Sequence, residues 1–279
     1  MSDNRCRRAS LLLIAAVLLG ACSADNLAEN PAADSGEEVS ASPSPIGSTL
    51  AESVDRCGDP AASAEMVELV AADGTELAAV HAGSGKVGIV LGHQYPSDLC
   101  DWWSYLGHLA GSGFNVVAID FRCYGESACP EGAASGDLLV DIEVAIKFLQ
   151  RERVGNIFYI GASMGGTLAY AAGSELADRL DGVINLSGGG DFTALTGSPF
   201  VDAPRYAPRI KVPFLSVAAR GDLPGDELRA EFAAVPEADK QLVMLPSTFG
   251  HGVAMLFGDQ TGEWSRLDGT IQAWLRKRS

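Results

Sequence analysis

Short runs of apolar residues recur along the chain and are separated by longer stretches with helical periodicity. Such runs are typical of strands that are covered on both faces of a sheet. They span residues 87–91, 116–119, 157–160, 183–186, 214–218 and 242–245. Ahead of them, residues 66–71 and 77–80 flank Asp73-Gly74, and this pattern predicts an antiparallel hairpin.

The clearest helical stretch spans residues 137–151. Apolar residues recur there at spacings of three and four, at Leu138, Ile142, Ala145, Ile146 and Leu149. Strands that alternate with helices predict an α/β protein with a mostly parallel central sheet. Counting the hairpin, we expect a sheet of about eight strands, flanked by helices.

The N-terminus departs from this pattern. Arginines precede an apolar run at residues 11–19, which is too short to span a bilayer but suits the core of a signal peptide. The run ends in Leu19-Gly20-Ala21-Cys22, which resembles the lipobox of bacterial lipoproteins. The resemblance implies cleavage before Cys22, lipid on its sulfur and a protein anchored at the extracytoplasmic face of the cell membrane. An ordinary signal peptide with a chance cysteine is the alternative.

Composition then divides the chain into three parts. Residues 1–21 are the predicted lipoprotein signal peptide. Residues 22–56 are rich in Ala, Ser, Pro and acidic residues and have few large apolar ones, which is typical of a disordered tether. Residues 57–279 form the predicted folded domain. The formal net charge of −16 disfavours nucleic acid as a partner, because an acidic surface repels phosphate.

One motif contains a candidate catalytic residue. Gly161-Ala-Ser163-Met-Gly165 fits the pattern G-x-S-x-G and lies between the apolar run 157–160 and a predicted helix. A turn this tight brings backbone segments so close that Gly161 and Gly165 have no room for a side chain. Ser163 is thereby exposed at a helix N-terminus, where amide groups favour a developing oxyanion.

A serine nucleophile needs a base, and the base needs an orienting carboxylate. Of the four histidines, only His251 follows Ser163, and it comes directly after the run 242–245. Asp222 follows the run 214–218 and so lies at the carboxyl end of a predicted strand, where open α/β sheets place their chemistry. Asp226 is the alternative acid.

These motifs, in the order serine, aspartate, histidine, resemble the α/β-hydrolase superfamily over roughly residues 62–278. The resemblance implies that Ser163 is the nucleophile, His251 the general base and then acid, and Asp222 the carboxylate. It also implies an oxyanion hole formed by the amide of Met164 and one from the loop Gly92-His-Gln-Tyr95. We expect Tyr95 to be that second donor, with Gln94 as the alternative, since Gln94 stands where many members carry glycine.

One further residue and one further stretch receive structural roles. His93 is expected to hydrogen-bond loop backbone rather than to move protons. The stretch Asp120-Phe-Arg-Cys-Tyr-Gly-Glu-Ser127 resembles the D-x-R-G-x-G-x-S turn of the superfamily, with Cys123 in place of glycine. In the superfamily this turn shapes the fold and the mouth of the site.

Four cysteines remain in the folded domain, at 57, 100, 123 and 129, and an even number in an exported protein allows two disulfides with three pairings. Because Cys100 and Cys123 follow strands that are neighbours in the superfamily, the resemblance favours their pairing. A local bridge from Cys123 to Cys129 is the alternative. No spacing suggests zinc, and we expect no metal and no cofactor.

The segment between Leu186 and Val212 is about 25 residues long and rich in Gly and Pro, which predicts an ordered loop rather than a large cap domain. We therefore expect a compact, monomeric serine hydrolase that cleaves a carboxylic ester of a small or acylated substrate through an acyl-enzyme. A peptidase or acyltransferase on the same scaffold, and a catalytically silent binding lipoprotein, are the alternatives.

Overall fold

The structure, a computed structural model, describes residues 56–58, 64–223, 225–257 and 264–279. The predicted signal peptide, Cys22 and all of the predicted tether except Arg56 lie outside the described residues. Within the described ranges, no helix has both the length and the apolar character needed to cross a membrane.

An eight-stranded sheet forms the centre of the domain, in the order β1-β2-β4-β3-β5-β6-β7-β8. Only β2 runs antiparallel to its neighbours β1 and β4, and the other pairs are parallel. The strands are β1 (Glu65–Val70), β2 (Glu76–Ala82), β3 (Val87–Gly92), β4 (Asn115–Ile119), β5 (Asn156–Ala162), β6 (Gly182–Leu186), β7 (Phe214–Ala219) and β8 (Lys240–Leu245). The predicted sheet is confirmed, and each of the six apolar runs lies inside one strand.

Helices connect these strands. They are α1 (Trp103–Gly111), α2 (Leu138–Arg151), α3 (Met164–Glu175), α4 (Thr193–Thr196), α5 (Ala203–Tyr206), α6 (Gly225–Ala234), α7 (Ala254–Phe257) and α8 (Arg266–Lys277). Short 3₁₀ helices span Leu99–Trp102, Gly132–Gly136, Ala207–Arg209 and Ser247–Phe249. The helix predicted at 137–151 is confirmed as α2.

The core has two layers, one on each face of the sheet. On one face the apolar sides of α2 and α3 pack against the sheet, and Ile142, Ile146 and Leu168 are fully buried there. On the other face α1 and α8 cover it, with Leu106 and Ile271 buried. The residues that recur at spacings of three and four in α2 are the ones that face the sheet, because that spacing puts them on one side of a helix.

The segment between β6 and β7 is described throughout and contains only α4, α5 and the 3₁₀ turn Ala207–Arg209. Two of these elements are four residues long. The prediction that no large cap domain is inserted here is confirmed.

The disulfides differ from the pairing that we favoured. Cys57 bonds to Cys100 and Cys123 bonds to Cys129, so a Cys100–Cys123 bridge is wrong. The reason is local: the amide of Cys123 donates to the carbonyl of Ala128 at 3.1 Å, which folds the turn back and brings Cys129 beside Cys123. The first bridge closes a loop with a sequence separation of 43 and ties the start of the domain to the segment after β3.

Candidate active site

Ser163 occupies the turn between β5 and α3. Its backbone has φ 48° and ψ −106°, a region that a residue with a side chain adopts only under strain of about 1–3 kcal/mol. The surrounding structure holds this conformation: the amide of Ser163 donates to the carbonyl of Leu186 at 2.8 Å, and its carbonyl accepts from the amide of Thr167 at 2.8 Å. Ser163 is therefore fixed between the end of β6 and the first turn of α3.

The glycines of the motif are required by close backbone contacts, as predicted. A Cβ at Gly161 would overlap the carbonyl oxygen of Gly165. A Cβ at Gly165 would overlap the carbonyl oxygen of Gly92 at the end of β3. Since both obstacles are backbone atoms in the middle of the fold, neither can move away from a side chain.

His251 and Asp222 form a direct pair. Nδ1 of His251 lies 2.6 Å from Oδ1 of Asp222, which follows β7. With Asp222 ionised, Nδ1–H donates to the carboxylate and leaves Nε2 as the nitrogen that can accept a proton. Oδ2 of Asp222 is buried and has no hydrogen-bond partner among the described residues. Asp226 lies exposed in the first turn of α6, so the structure pairs the histidine with Asp222.

Two side chains hold the backbone that directly follows His251. The amide of Gly252 donates to Oγ of Ser187 at 2.9 Å, and the amide of Val253 lies 3.4 Å from Oε1 of Gln94. Ser187 is buried, directly follows β6 and has φ 59°. Sequence reasoning missed Ser187, although its place at the carboxyl end of a buried run, ahead of three glycines, was a usable signal.

These contacts bring the serine and histidine segments together at one edge of the sheet. Leu186 binds the amide of Ser163, and the next residue, Ser187, binds the amide of Gly252. A Cβ at Gly252 would lie 3.5 Å from the Cβ of Ala162, so the two segments are in van der Waals reach. The predicted residues Ser163, Asp222 and His251 thus share one location.

The loop after β3 packs against the serine turn. The amide of Gly165 donates to the carbonyl of His93 at 3.2 Å. The amide of Gln94 is directed at Oδ2 of Asp101, 3.4 Å away, while Tyr95 is among the exposed large side chains. Met164 is the first residue of α3. Both candidate loop donors therefore lie beside the helix N-terminus that carries Met164.

Comparison with known proteins agrees with the fold. The family model described as alpha/beta hydrolase fold matches residues 88–223. The chain has the α/β-hydrolase fold. Among solved structures it is similar to an esterase from Pyrococcus furiosus, with a TM-score of 0.62 and 17% identity over 77% of this chain and 90% of that one. An esterase from Thermogutta terrifontis gives a TM-score of 0.57 at 21% identity, covering 77% of this chain and 100% of that chain.

The curated relatives are similar to this chain over a shorter stretch. Bifunctional epoxide hydrolase 2 from Sus scrofa is 30% identical over 114 residues, which are 41% of this chain and 20% of the relative. Epoxide hydrolase A from Mycobacterium tuberculosis is 31% identical over 123 residues, which are 43% of this chain and 37% of the relative. The chain thus spans well under half the length of either relative.

His93, in the loop after β3, is held by backbone hydrogen bonds at both ring nitrogens. Nε2 of His93 accepts from the amide of Phe121 at 3.1 Å, and Nδ1 therefore donates to the carbonyl of Gln94 at 2.8 Å. Burial lowers the pKa of His93 to about 4, so the ring is neutral and both nitrogens stay committed to backbone. The expected structural role of His93 is confirmed.

Asp120 organises the turn after β4. Its carboxylate accepts from the amide of Leu99 at 2.6 Å and from that of Glu126 at 2.8 Å, and burial raises its pKa to about 6. Cys123 has φ 66°, in the left-handed region, which explains why the superfamily pattern has glycine at this place. Here the bridge to Cys129 spans the same turn.

No metal site accompanies these residues. In the part of the chain that the structure describes, no three His, Cys, Asp or Glu side chains are grouped so that they could hold a metal ion.

Proposed function

We propose that this protein is a serine hydrolase that cleaves carboxylic esters through an acyl-enzyme. The observation that carries the proposal is the 2.6 Å contact between His251 and Asp222, beside a serine held at φ 48° in a strand-to-helix turn. A carboxylate on Nδ1 orients the ring and stabilises the imidazolium that forms when Nε2 takes a proton.

The reaction follows from these positions. Oγ of Ser163 bonds to the ester carbonyl carbon while Nε2 of His251 accepts its proton, and the amides of Met164 and Tyr95 stabilise the oxyanion. The intermediate collapses, the C–O bond to the alcohol breaks, and the leaving alkoxide takes the proton from Nε2. A water molecule then repeats the sequence on the acyl-enzyme, which releases the acid and restores Ser163.

The assignment of Tyr95 rather than Gln94 rests on the direction of the Gln94 amide. The amide of Gln94 faces the carboxylate of Asp101, whose pKa is raised by burial. An amide engaged there is not available to an oxyanion. The amide of Tyr95 is the next along the same loop.

Serine favours esters over epoxides for a chemical reason, even though the curated relatives are named epoxide hydrolases. Attack of a serine oxygen on an epoxide carbon would form an ether, which water does not cleave under mild conditions. Attack on an ester carbonyl forms an acyl-serine, which water hydrolyses through the same oxyanion hole. Among the solved structures that share the fold, esterases are named.

A fluorophosphonate probe tests the nucleophile directly. We expect wild-type protein to be labelled and mass spectrometry to locate the adduct on Ser163. Ser163→Ala should give no label, whereas the matched control Ser135→Ala, at a serine of the 3₁₀ helix Gly132–Gly136, should label like wild type. An adduct on another serine, or none on the folded wild type, would contradict the proposal. Nitrophenyl esters of graded acyl length then define the substrate.

We further propose that the enzyme is attached to the membrane through lipid on Cys22. The support is the order of arginines, apolar run and Leu19-Gly-Ala-Cys22 in the sequence. Wild-type protein should partition into the detergent phase, and Cys22→Ser should remain unprocessed or move to the aqueous phase. Aqueous partitioning of mature wild-type protein would overturn the anchor without affecting the esterase proposal.

A further inference from the structure

The segment that follows β6 consists of Ser187 and three consecutive glycines, and each of its four amides has an acceptor. The amide of Ser187 donates to the carbonyl of Val217 in β7 at 2.8 Å. The three glycine amides donate to side chains: Gly188 to Oδ1 of Asn185 at 2.6 Å, Gly189 to Oγ1 of Thr167 at 3.0 Å and Gly190 to Oε1 of Glu231 at 2.7 Å. The acceptors thus come from four different elements, β7, β6, α3 and α6.

The side-chain acceptors of this segment are buried. Asn185 and Thr167 have no exposed surface, and Glu231 is only 6% exposed. Glycines have no side chains with which to pack, so groups from outside the segment must fix its conformation. A buried amide that loses its acceptor also loses free energy, because water does not replace the missing bond.

The same segment connects the proposed nucleophile with the proposed base. Directly ahead of it, the carbonyl of Leu186 accepts from the amide of Ser163 at 2.8 Å. Within it, Oγ of Ser187 accepts from the amide of Gly252, the residue after His251, at 2.9 Å. A shift of this segment would therefore change the position of Ser163 relative to His251.

Two of the acceptors, Thr167 and Glu231, reach the segment from helices. Oγ1 of Thr167 also lies 3.2 Å from the carbonyl oxygen of Ser163, so one hydroxyl group contacts the serine turn and the glycine segment. Oε2 of Glu231 is buried, has no hydrogen-bond partner among the described residues and would lie 2.8 Å from a Cβ at Gly189. Both oxygens of this carboxylate therefore face the glycine backbone.

The surroundings of Glu231 disfavour its charged form. Burial raises the pKa of Glu231, and repulsion from Glu227 and Asp202 adds to the rise, whereas the hydrogen bond from Gly190 opposes it. Of these influences, only the bond to Gly190 favours a carboxylate at this place. The bond is thus what Glu231 contributes here.

We propose that Thr167 and Glu231 are positioning residues of the ester hydrolysis inferred above. Through the glycine amides they fix the segment 187–190, which sets the position of Ser163 relative to His251. Each acts through the backbone, and neither is assigned a contact with the substrate. The inference rests on the proposed function, since it assigns these residues to the same reaction.

Steady-state kinetics with a nitrophenyl ester tests both residues. Glu231→Met removes the acceptor for Gly190 and should lower kcat about tenfold or more with little change in KM, whereas Glu231→Gln keeps a side-chain carbonyl oxygen and should restore most of kcat. Thr167→Val should resemble Glu231→Met, and Thr167→Ser should restore activity. Melting temperatures establish that each variant is folded during the assay.

The matched control is Glu227→Gln, which removes an exposed charge from the same helix and should have the kcat of wild type. Combining Glu231→Met with Ser187→Ala should lower kcat little further than the more damaging single substitution, because both act on one segment. Losses that multiply, a change confined to KM, or no recovery in the Gln and Ser variants would overturn the inference.

Hydrogen exchange followed by mass spectrometry tests the positioning without any turnover. In Glu231→Met, residues 186–191 and 250–255 should exchange faster than in wild type, since the second stretch is held through Ser187. In Glu231→Gln and Glu227→Gln both stretches should exchange like wild type. Unchanged exchange at 250–255 in Glu231→Met would overturn the positioning role, whereas a folded wild type that hydrolyses no ester would overturn the proposed function alone.

Discussion

The two segments that carry the proposed nucleophile and base are held in different ways. The serine turn is held mainly by backbone: Gly161 and Gly165 face carbonyl oxygens, and Ser163 bonds to Leu186 and Thr167 through its main chain. Two hydroxyl groups add to this, since Tyr159 donates to the carbonyl of Gly165 and Thr167 to that of Ser163. The histidine loop has backbone bonds within itself, but side chains tie it to the neighbouring segments, because Gly252 and Val253 donate to Ser187 and Gln94. A segment held by close backbone contacts tolerates almost no substitution, whereas a segment held by side chains can be weakened one hydrogen bond at a time.

Removing the reacting groups themselves should have the largest effect. Ser163→Ala and His251→Ala should each lower ester turnover by about 10⁴-fold or more, and the double variant should lose little further because the residues act as a unit. Steady-state kinetics with a nitrophenyl ester measures this. Losses that multiply in the double variant would argue against a shared mechanism. Asp222→Asn should be damaging but folded, whereas Asp226→Asn should be near wild type.

At Tyr95, in the loop after β3, activity should respond to a change in the backbone but not to a change in the side chain. Tyr95→Pro removes the proposed donor amide and should lower kcat by about 10²- to 10³-fold, the scale of one oxyanion-hole donor. Tyr95→Phe keeps the amide and should retain most activity. If Tyr95→Phe proves as damaging as Tyr95→Pro, the phenol acts and the donor assignment moves to Gln94.

Glycine substitutions in the serine turn and in the histidine loop should lower the free energy of unfolding by different amounts. Gly165→Ala should destabilise the fold by about 3 kcal/mol, because its obstacle is the backbone of Gly92. Gly252→Ala should cost about 1–2 kcal/mol, since φ is 57° and the obstacle is the side chain of Gln94. Urea unfolding measures both variants.

Combining Gln94→Gly with each of these substitutions tests the difference. The second substitution should recover part of the stability lost in Gly252→Ala and none of that lost in Gly165→Ala. Equal recovery in both double variants, or none in either, would mean that the serine turn and the histidine loop are not held by different types of contact.

The smallest effects on activity should come from removing the side-chain hydrogen bonds to the histidine loop one at a time. Ser187→Ala removes the 2.9 Å bond to Gly252 and should lower kcat about tenfold with little change in KM, as expected for one buried hydrogen bond that positions the histidine. Gln94→Gly should be milder, since its contact with Val253 is 3.4 Å long. A change confined to KM in Ser187→Ala would point to substrate contact instead.

Much of the fold was predictable because strands covered on both faces must be apolar along their whole length. The runs 157–160 and 214–218 therefore identified β5 and β7 without any knowledge of their partners. The serine turn was predictable for a related reason, since its glycines are required within five consecutive residues. The pairing of Cys57 with Cys100 was not, because nothing local to either cysteine specifies a partner 43 residues away.

The sequence by itself determined the strands and α2, the order of Ser163, Asp222 and His251, and the close approach at Gly161 and Gly165, because these depend on local pattern and local sterics. Only the tertiary structure decided that His251 pairs with Asp222, that Ser187 and Gln94 hold the following amides, and that Oε2 of Glu231 is left without a partner in the part of the chain it describes. Those contacts join segments that are distant in the chain, and the direction of a side chain after a strand end is set by what packs against it.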